Sequence, residues 1–374
     1  MGISEERFRP LQTLPLVLLL ALLNMTAPVK SRKWIKERIE SLDPDVDYEE
    51  IWRLTSTYNL TGFTQNLVYA ITFPNFIVTP QGAEAVWRSD GGKILWKATQ
   101  RVEQTANNNA IWWWHGPSSP ITKRSIDHIN NVHAYWAKRY PGNFSDNDDY
   151  LYTLTYSAAA IHRLMIQLGL PGFTDKQKAA ACRFWGELGK LFIVEGDKRI
   201  DGFPKNWDEL MAFNLAFEAN VKVGLERAKL IAEACFDQFA FSYFPPGLRW
   251  LGRRIPIALS LPTTLKGCQI EPVNPVLHFL ITFILGRVLW LVGMFAADPT
   301  ESYWEQQEKI TATEKREKIV ALRKEDAEFA PWFIARHKKD IPGCPFHSML
   351  GKKEGAASST LKDFDIERQD KKAA

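Results

Sequence analysis

The stretch Arg124-Ser125-Ile126-Asp127-His128-Ile129-Asn130-Asn131-Val132-His133-Ala134-Tyr135-Trp136-Ala137-Lys138-Arg139 decides how the rest of the chain is read. Ile126, Ile129, His133, Trp136 and Ala137 recur at three- and four-residue spacing, which predicts a helix with His133 on its apolar, inward side. An imidazole in such a place must satisfy two ring nitrogens, either by hydrogen bonds or by giving one lone pair to a metal. On periodicity alone, a histidine satisfied inside the core is the commoner arrangement.

Upstream, Arg101, Gln104, Thr105 and Asn108 fall at i, i+3, i+4 and i+7 of a second expected helix, Lys93 to Asn109. Lys93, Lys97 and Glu103 show that this helix also meets water, so the polar stripe reads either as a solvated face or as one wall of a ligand pocket. A non-haem metal site built from His128 and His133 is disfavoured, because positions i and i+5 lie about 140° apart on a helix of ~3.6 residues per turn.

In order and spacing these residues resemble the rubber oxygenase (latex-clearing protein) family, and more closely its branch of ER-bound oxygenases from mycophenolic acid biosynthesis. Arg101, Gln104 and Thr105 stand where that family carries its distal helix, and His133, 28 residues after Thr105, stands at its proximal histidine. Further matches follow: Asp149 with Leu151-Tyr152-Thr153-Leu154, then Phe184-Trp185-x-x-Leu188-Gly189, Pro204-x-x-Trp207 and Gly343-Cys344-Pro345-Phe346-His347. The resemblance implies an all-α haem domain, haem b held through iron by His133, and Arg101 and Asn130 near the cofactor. It further implies Gln104, Thr105 and Arg101 as the catalytic set. Two positions depart from the pattern. The family has a lysine where this chain has Gln104, and an arginine where it has Asn130, so a candidate base and a cation are both missing.

Length and composition fit one domain. A chain of 374 residues, 45% hydrophobic and 24% charged, can bury a large core, and no long Gly/Ser/Pro linker divides it. Its net charge of +4 is small and its basic residues are interleaved with acids, which excludes a nucleic-acid-binding stripe. Cys182, Cys235, Cys268 and Cys344 are widely spaced and form no ligand or redox pair, a pattern of reduced thiols facing the cytosol. The run Trp112 to Trp114 before His115-Gly116-Pro117 suits either a loop anchored on a core or rings placed where apolar and wet surroundings meet.

Alternating strand patterns are scarce and helical ones abundant. Asp149 serves as an expected N-cap for a helix carrying Leu151, Leu154, Ala158, Ile161 and Met165, which stops around Gly169 to Gly172. Thr174-x-x-Gln177 has the capping-box form and starts the helix of Phe184, Trp185 and Leu188. Another helical stretch is expected from about Trp207 to Phe236, and His162, without a partner cluster, reads as structural.

The extremities speak of location. After a short tail, residues 1–9, the segment 10–29 is just long enough to span a bilayer, with Leu14 to Leu23 almost purely apolar. A secretory signal is the alternative, but two Glu balance two Arg in the first ten residues and Pro28 follows the best cleavage residue, Ala27. Lys30, Arg32, Lys33, Lys36 and Arg38 place the body in the cytosol by the positive-inside rule. The polar tail, residues 351–374, reads as disordered and ends in Lys371-Lys372-Ala373-Ala374, which resembles a dilysine ER retrieval signal read by coat proteins. A second apolar segment, 276–296, holds Arg287 and His278, which make crossing costly, so a membrane-dipping or pocket-forming helix is expected. In the cytosol the sequons at Asn59 and Asn143 would stay unmodified.

These expectations combine into a membrane anchor at 10–29 and a helical catalytic domain over 45–347, in the ER membrane and facing the cytosol. The domain would use haem and dioxygen on an apolar isoprenoid or polyketide-terpenoid substrate, by C=C cleavage or related oxygen insertion. In it Gln104 and Thr105 offer hydrogen bonds over the open haem face, and Arg101 pairs with a propionate or orients the stripe. A hydroxylase or cyclase-like enzyme on the same fold, or a membrane-associated binding protein without haem, stays open.

Overall fold

The helix expected around His133 forms, running from Pro120 to Ala137 with Ser119 as its N-cap. In the computed structural model, residues 32–220 and 225–338 are described. The anchor segment 10–29, the motif Gly343 to His347 and the tail 351–374 lie outside them. Two compact units divide the chain, the first running to Pro331 and the second starting at Trp332.

The described residues are all-α apart from one small hairpin. In chain order the helices are α1 (Trp34–Ser41), α2 (Tyr48–Ser56), α3 (Gly62–Thr72), a 3-10 turn (Phe73–Ile77), α4 (Pro80–Trp87), α5 (Gly92–Trp96), α6 (Ala98–His115), α7 (Pro120–Ala137), α8 (Asn147–Gln167) and α9 (Asp175–Gly189). Two-residue strands β1 (Ile193–Val194) and β2 (Lys198–Arg199) then pair antiparallel, with Ile193 opposite Arg199. The remainder is α10 (Trp207–Ala219), α11 (Glu226–Tyr243), a 3-10 turn (Pro246–Leu248), α12 (Arg249–Leu259), α13 (Pro262–Gly267), α14 (Pro275–Phe295), α15 (Tyr303–Glu308) and α16 (Ala312–Arg336). Within the second unit, the Phe333 and His337 rings lie tilted against each other one turn apart, centroids 4.4 Å from each other.

The core of the first unit forms where α2, α6, α8 and α9 meet. Trp52 is its centre, stacked on Phe184 at 5.4 Å and edge-on to Trp113, Phe173 and Trp185. Such offset and T-shaped pairs add to the area these rings remove from water. Trp112 and Trp113 are buried in the last turns of α6, so the tryptophan run is part of a core helix, neither a loop nor an interfacial belt. The Thr174/Gln177 capping box is present as expected, and Gly169 ends the preceding helix region with φ +69°.

Three boundaries differ from the sequence reading, each for a local reason. The helix expected from Lys93 to Asn109 is broken at Lys97, whose backbone is non-helical. A new helix starts there because the Asp326 carboxylate, brought from α16, accepts from Thr99 N at 2.6 Å and Gln100 N at 3.4 Å. Those are orphan amides of the first turn, normally satisfied by a cap nearby in sequence. The stretch Trp207 to Phe236 is likewise two helices, since α10 ends at Asn220, whose side chain returns to Ala216 O. The cap of α8 is Asp146, accepting from Asp148 N, and Asp149 sits one turn inside.

Candidate functional site

Helices α6 and α7 touch each other and are joined by a four-residue connection. Gly116 makes the turn with φ +75°, and a Cβ there would collide with the Glu49 carboxylate, which accepts from Ser118 N at 2.8 Å and Ser118 Oγ at 2.9 Å. Only glycine meets both demands. Arg101, Gln104 and Thr105 lie on the first of these helices and Asn130 and His133 on the second.

The five residues have different surroundings. His133 is half-buried on α7, its ring tilted over Phe144 at 4.9 Å and edge-on to Tyr150 at 5.9 Å. Its Nδ1 lies 3.1 Å from the Tyr150 hydroxyl. Burial drives the imidazole from 6.5 down to about 4, so it is neutral at physiological pH. Nε2 has no hydrogen-bond partner among the described residues. Burial also raises the Tyr150 phenol, which stays protonated.

An open cleft of about 250 Å³ borders His133, walled by Asn130, Ala134 and Ala137 of α7, by Lys138 and Phe144, and by Ile193 to Asp197. Its far wall is fixed from two sides. Asn130 Nδ2 donates to Leu191 O at 3.0 Å while its Oδ1 accepts from Ile193 N at 3.1 Å. The Glu195 carboxylate accepts from Gly142 N at 2.9 Å and Phe144 N at 3.3 Å, and Glu195 N donates to Phe144 O at 2.9 Å. Both ends of the Asn130 amide thus hold backbone, and the residue shapes the cleft by positioning its wall.

The α6 residues look elsewhere. Arg101 Nε donates to the Tyr69 hydroxyl at 3.0 Å, and its guanidinium lies 4.6 Å from the Phe73 ring centre, with no carboxylate paired to it among the described residues. Thr105 Oγ1 donates to Arg101 O at 3.1 Å. Gln104 is exposed. The partners of Arg101 and those of His133 have no residue in common. The imidazole has the donor chemistry of an axial haem ligand, whereas the adjoining cleft alone is smaller than a porphyrin and open to one side.

The remaining expected histidine and site residues are accounted for by packing. His162 Nδ1 accepts from Phe173 N at 2.8 Å and packs against Phe173 and Trp207, a structural role. His115 lies edge-on to Trp304 and His128 is exposed. A larger cleft, about 400 Å³, lies on the other side of the α8 start, between Thr79, Gln81, Asp149, Phe213 and Phe217. Asp149 accepts there from Thr79 Oγ1 at 3.1 Å, and burial raises its carboxyl to about 6. One helical turn therefore presents Tyr150 to the histidine and Asp149 to a second cavity. The smaller cleft bears on chemistry more directly, because it holds a neutral nitrogen with a lone pair to give.

Sequence reasoning missed Tyr150, Phe144 and Glu195. Tyr150 adjoins the quoted Asp149 motif, yet its pairing with His133 depends on how the Gly142 loop folds, which no periodicity reports. No protein-family model matches this chain, and no curated protein sequence is significantly similar to it.

Proposed function

We propose that the protein is a membrane-associated, haem-dependent oxygenase for an apolar substrate of isoprenoid or polyketide-terpenoid type, with His133 as the axial ligand. One observation carries the reading: His133 is a neutral imidazole oriented through Nδ1 by Tyr150, with Nε2 unpartnered at a cleft. Ligand histidines are held in this way, the second nitrogen fixing tautomer and ring orientation. The residue pattern shared with rubber oxygenases supports it further.

Haem, when bound, supplies the activation of dioxygen. The chain supplies the setting. A Tyr150 hydroxyl that accepts from Nδ1–H leaves the lone pair on Nε2. Phe144 and Ala137 give the ligand side apolar walls. Arg101 keeps free N–H groups for an anionic substituent, because only Nε is committed to Tyr69. Thr105 spends its hydroxyl proton on the helix backbone and is left as an acceptor. Gln104 can donate or accept a hydrogen bond but cannot act as a base, so proton delivery falls to solvent or to another group.

The same reading places the body on the cytosolic face of the ER membrane, held by residues 10–29 and retrieved through Lys371 and Lys372. The deciding measurement is the visible spectrum of the detergent-purified full chain after haem addition. A Soret band that saturates at one haem per chain is expected. A protein that stays colourless in excess haem overturns the assignment.

A further inference from the structure

Helix α14 runs 21 residues from Pro275 to Phe295, with a mean hydropathy of 2.0 over its most apolar window. By length and composition it passes for a membrane span. Its attachments to the body argue against a span. Leu277, Ile281, Leu285, Val288 and Val292 recur every three or four residues as a buried or half-buried stripe along the helix, with Thr282 and Gly286 covered beside it. At mid-length Gly286 comes so close to Leu168 O that a Cβ would collide with it.

Both ends are fastened too. Val273, two residues before the helix, is buried. At the other end the Arg32 guanidinium donates to Phe295 O, Lys33 Nζ to Ala296 O at 2.8 Å, and Trp34 Nε1 to Pro299 O at 3.1 Å. Asp298 N returns to Arg32 O at 2.9 Å, and the Asp298 carboxylate accepts from Ile35 N at 2.9 Å.

Away from the packed stripe, ten large apolar side chains of α14 are more than 40% exposed, including Val276, Phe279, Phe283, Ile284, Leu291 and Phe295. Trp250 of the neighbouring α12 adds to them at 58%. A face of this size exceeds the scattered apolar residues that monomers leave to water. Two features say what covers it. The 31 residues before Arg32 contain the Leu14 to Leu23 run and join the body at Arg32, bonded to the last turn of α14, so any segment they send into a membrane departs from the rim of this face. Arg287 is exposed at the middle of the helix, 5.8 Å from the Phe283 and Trp290 ring centres. At a bilayer midplane that charge is expensive, whereas at headgroup depth a long side chain reaches water.

We propose that α14 lies in the plane of the membrane, with its exposed face in the headgroup–acyl boundary of the leaflet that residues 10–29 enter. The bilayer itself is the occupant of the face. The inference needs no haem.

The test uses the full chain in phosphatidylcholine–phosphatidylserine vesicles, with Cys344→Ser removing one thiol and Cys182, Cys235 and Cys268 left buried. Single substitutions Val276→Cys, Phe283→Cys and Leu291→Cys carry a fluorophore, quenched by lipids labelled near the headgroup or at the acyl end. All three sites should be quenched alike, and several-fold more strongly by the shallow label. A graded profile, deepest at Phe283→Cys, would mean a span and overturns the proposal. Thiols that resist labelling in both detergent and vesicles would mean cover by the N-terminal segment or a second copy, which also overturns it. The Soret band of the same preparations reads the oxygenase assignment separately.

Discussion

At the scale of single residues, His133 carries the most testable weight. We expect His133→Ala to lose most bound haem, tenfold or more in affinity, with helical content by circular dichroism unchanged; normal loading would remove the ligand assignment. Tyr150→Phe should keep the ligand but weaken it by about tenfold, within the 10–100-fold cost of losing an outer-shell partner. His115→Ala and His128→Ala should leave the spectrum as it is, since one ring packs on Trp304 and the other is exposed. The depressed His133 value also makes a pH statement about the haem-free protein. A group at 6.5 when unfolded and about 4 when folded contributes stability that is present above about 6.5 and lost as pH falls through about 4. Urea midpoints of the wild type should therefore fall across that window more steeply than those of His133→Gln. The inward side of His133 was legible from the spacing of Ile126, Ile129 and Ala137, but not the direction of Arg101, which turns to Tyr69 and Phe73, nor the exposure of Gln104. Helical periodicity reports a face; the neighbour that face meets depends on tertiary packing.

Among the elements, α6 shows where local sequence stops being informative. Its Trp-rich end and its core face follow from pattern, and its start does not, because Lys97 contributes no capping side chain and the acceptor is Asp326. We expect Asp326→Ala to destabilise the fold by about 1–2 kcal/mol, the cost of a lost helix cap with charged hydrogen bonds, measured by urea unfolding. A smaller loss in Asp326→Asn would fit, since Gln100 Nε2 also donates to this carboxylate at 2.7 Å. An unchanged midpoint in Asp326→Ala would show that water caps α6 equally well. Likewise the Asn130 bridge to Leu191 and Ile193 predicts that Asn130→Ala loosens the cleft wall, seen as faster amide exchange at Ile193, before it affects the helix that bears it.

For the whole molecule, the proposed placement of the body on the cytosolic face of a membrane is tested by glycosylation. The two sequons are unequal reporters. Asn59 is exposed, whereas Asn143 is half-buried and its Nδ2 donates to Glu84 at 3.1 Å. A lumenal body would therefore be glycosylated at Asn59, and Asn59→Gln would abolish the mobility shift. A cytosolic body gives no shift, and Lys371→Ser with Lys372→Ser should then release a tagged protein from the ER. The all-α class was readable from the scarcity of alternating segments, and Arg287 and His278 already spoke against a span for α14, whereas the residues on which that helix packs were not legible, because composition names no neighbour. The Asp326 cap has a consequence for synthesis as well. Thr99 leaves the ribosome 227 residues ahead of its acceptor, so at about 5–20 residues per second the first turn of α6 waits on the order of ten to fifty seconds for it. Throughout that interval Arg101 sits on a nascent helix with an unfinished start, and a ribosome that stalls before Asp326 leaves a chain that chaperones can hold and proteases can cut.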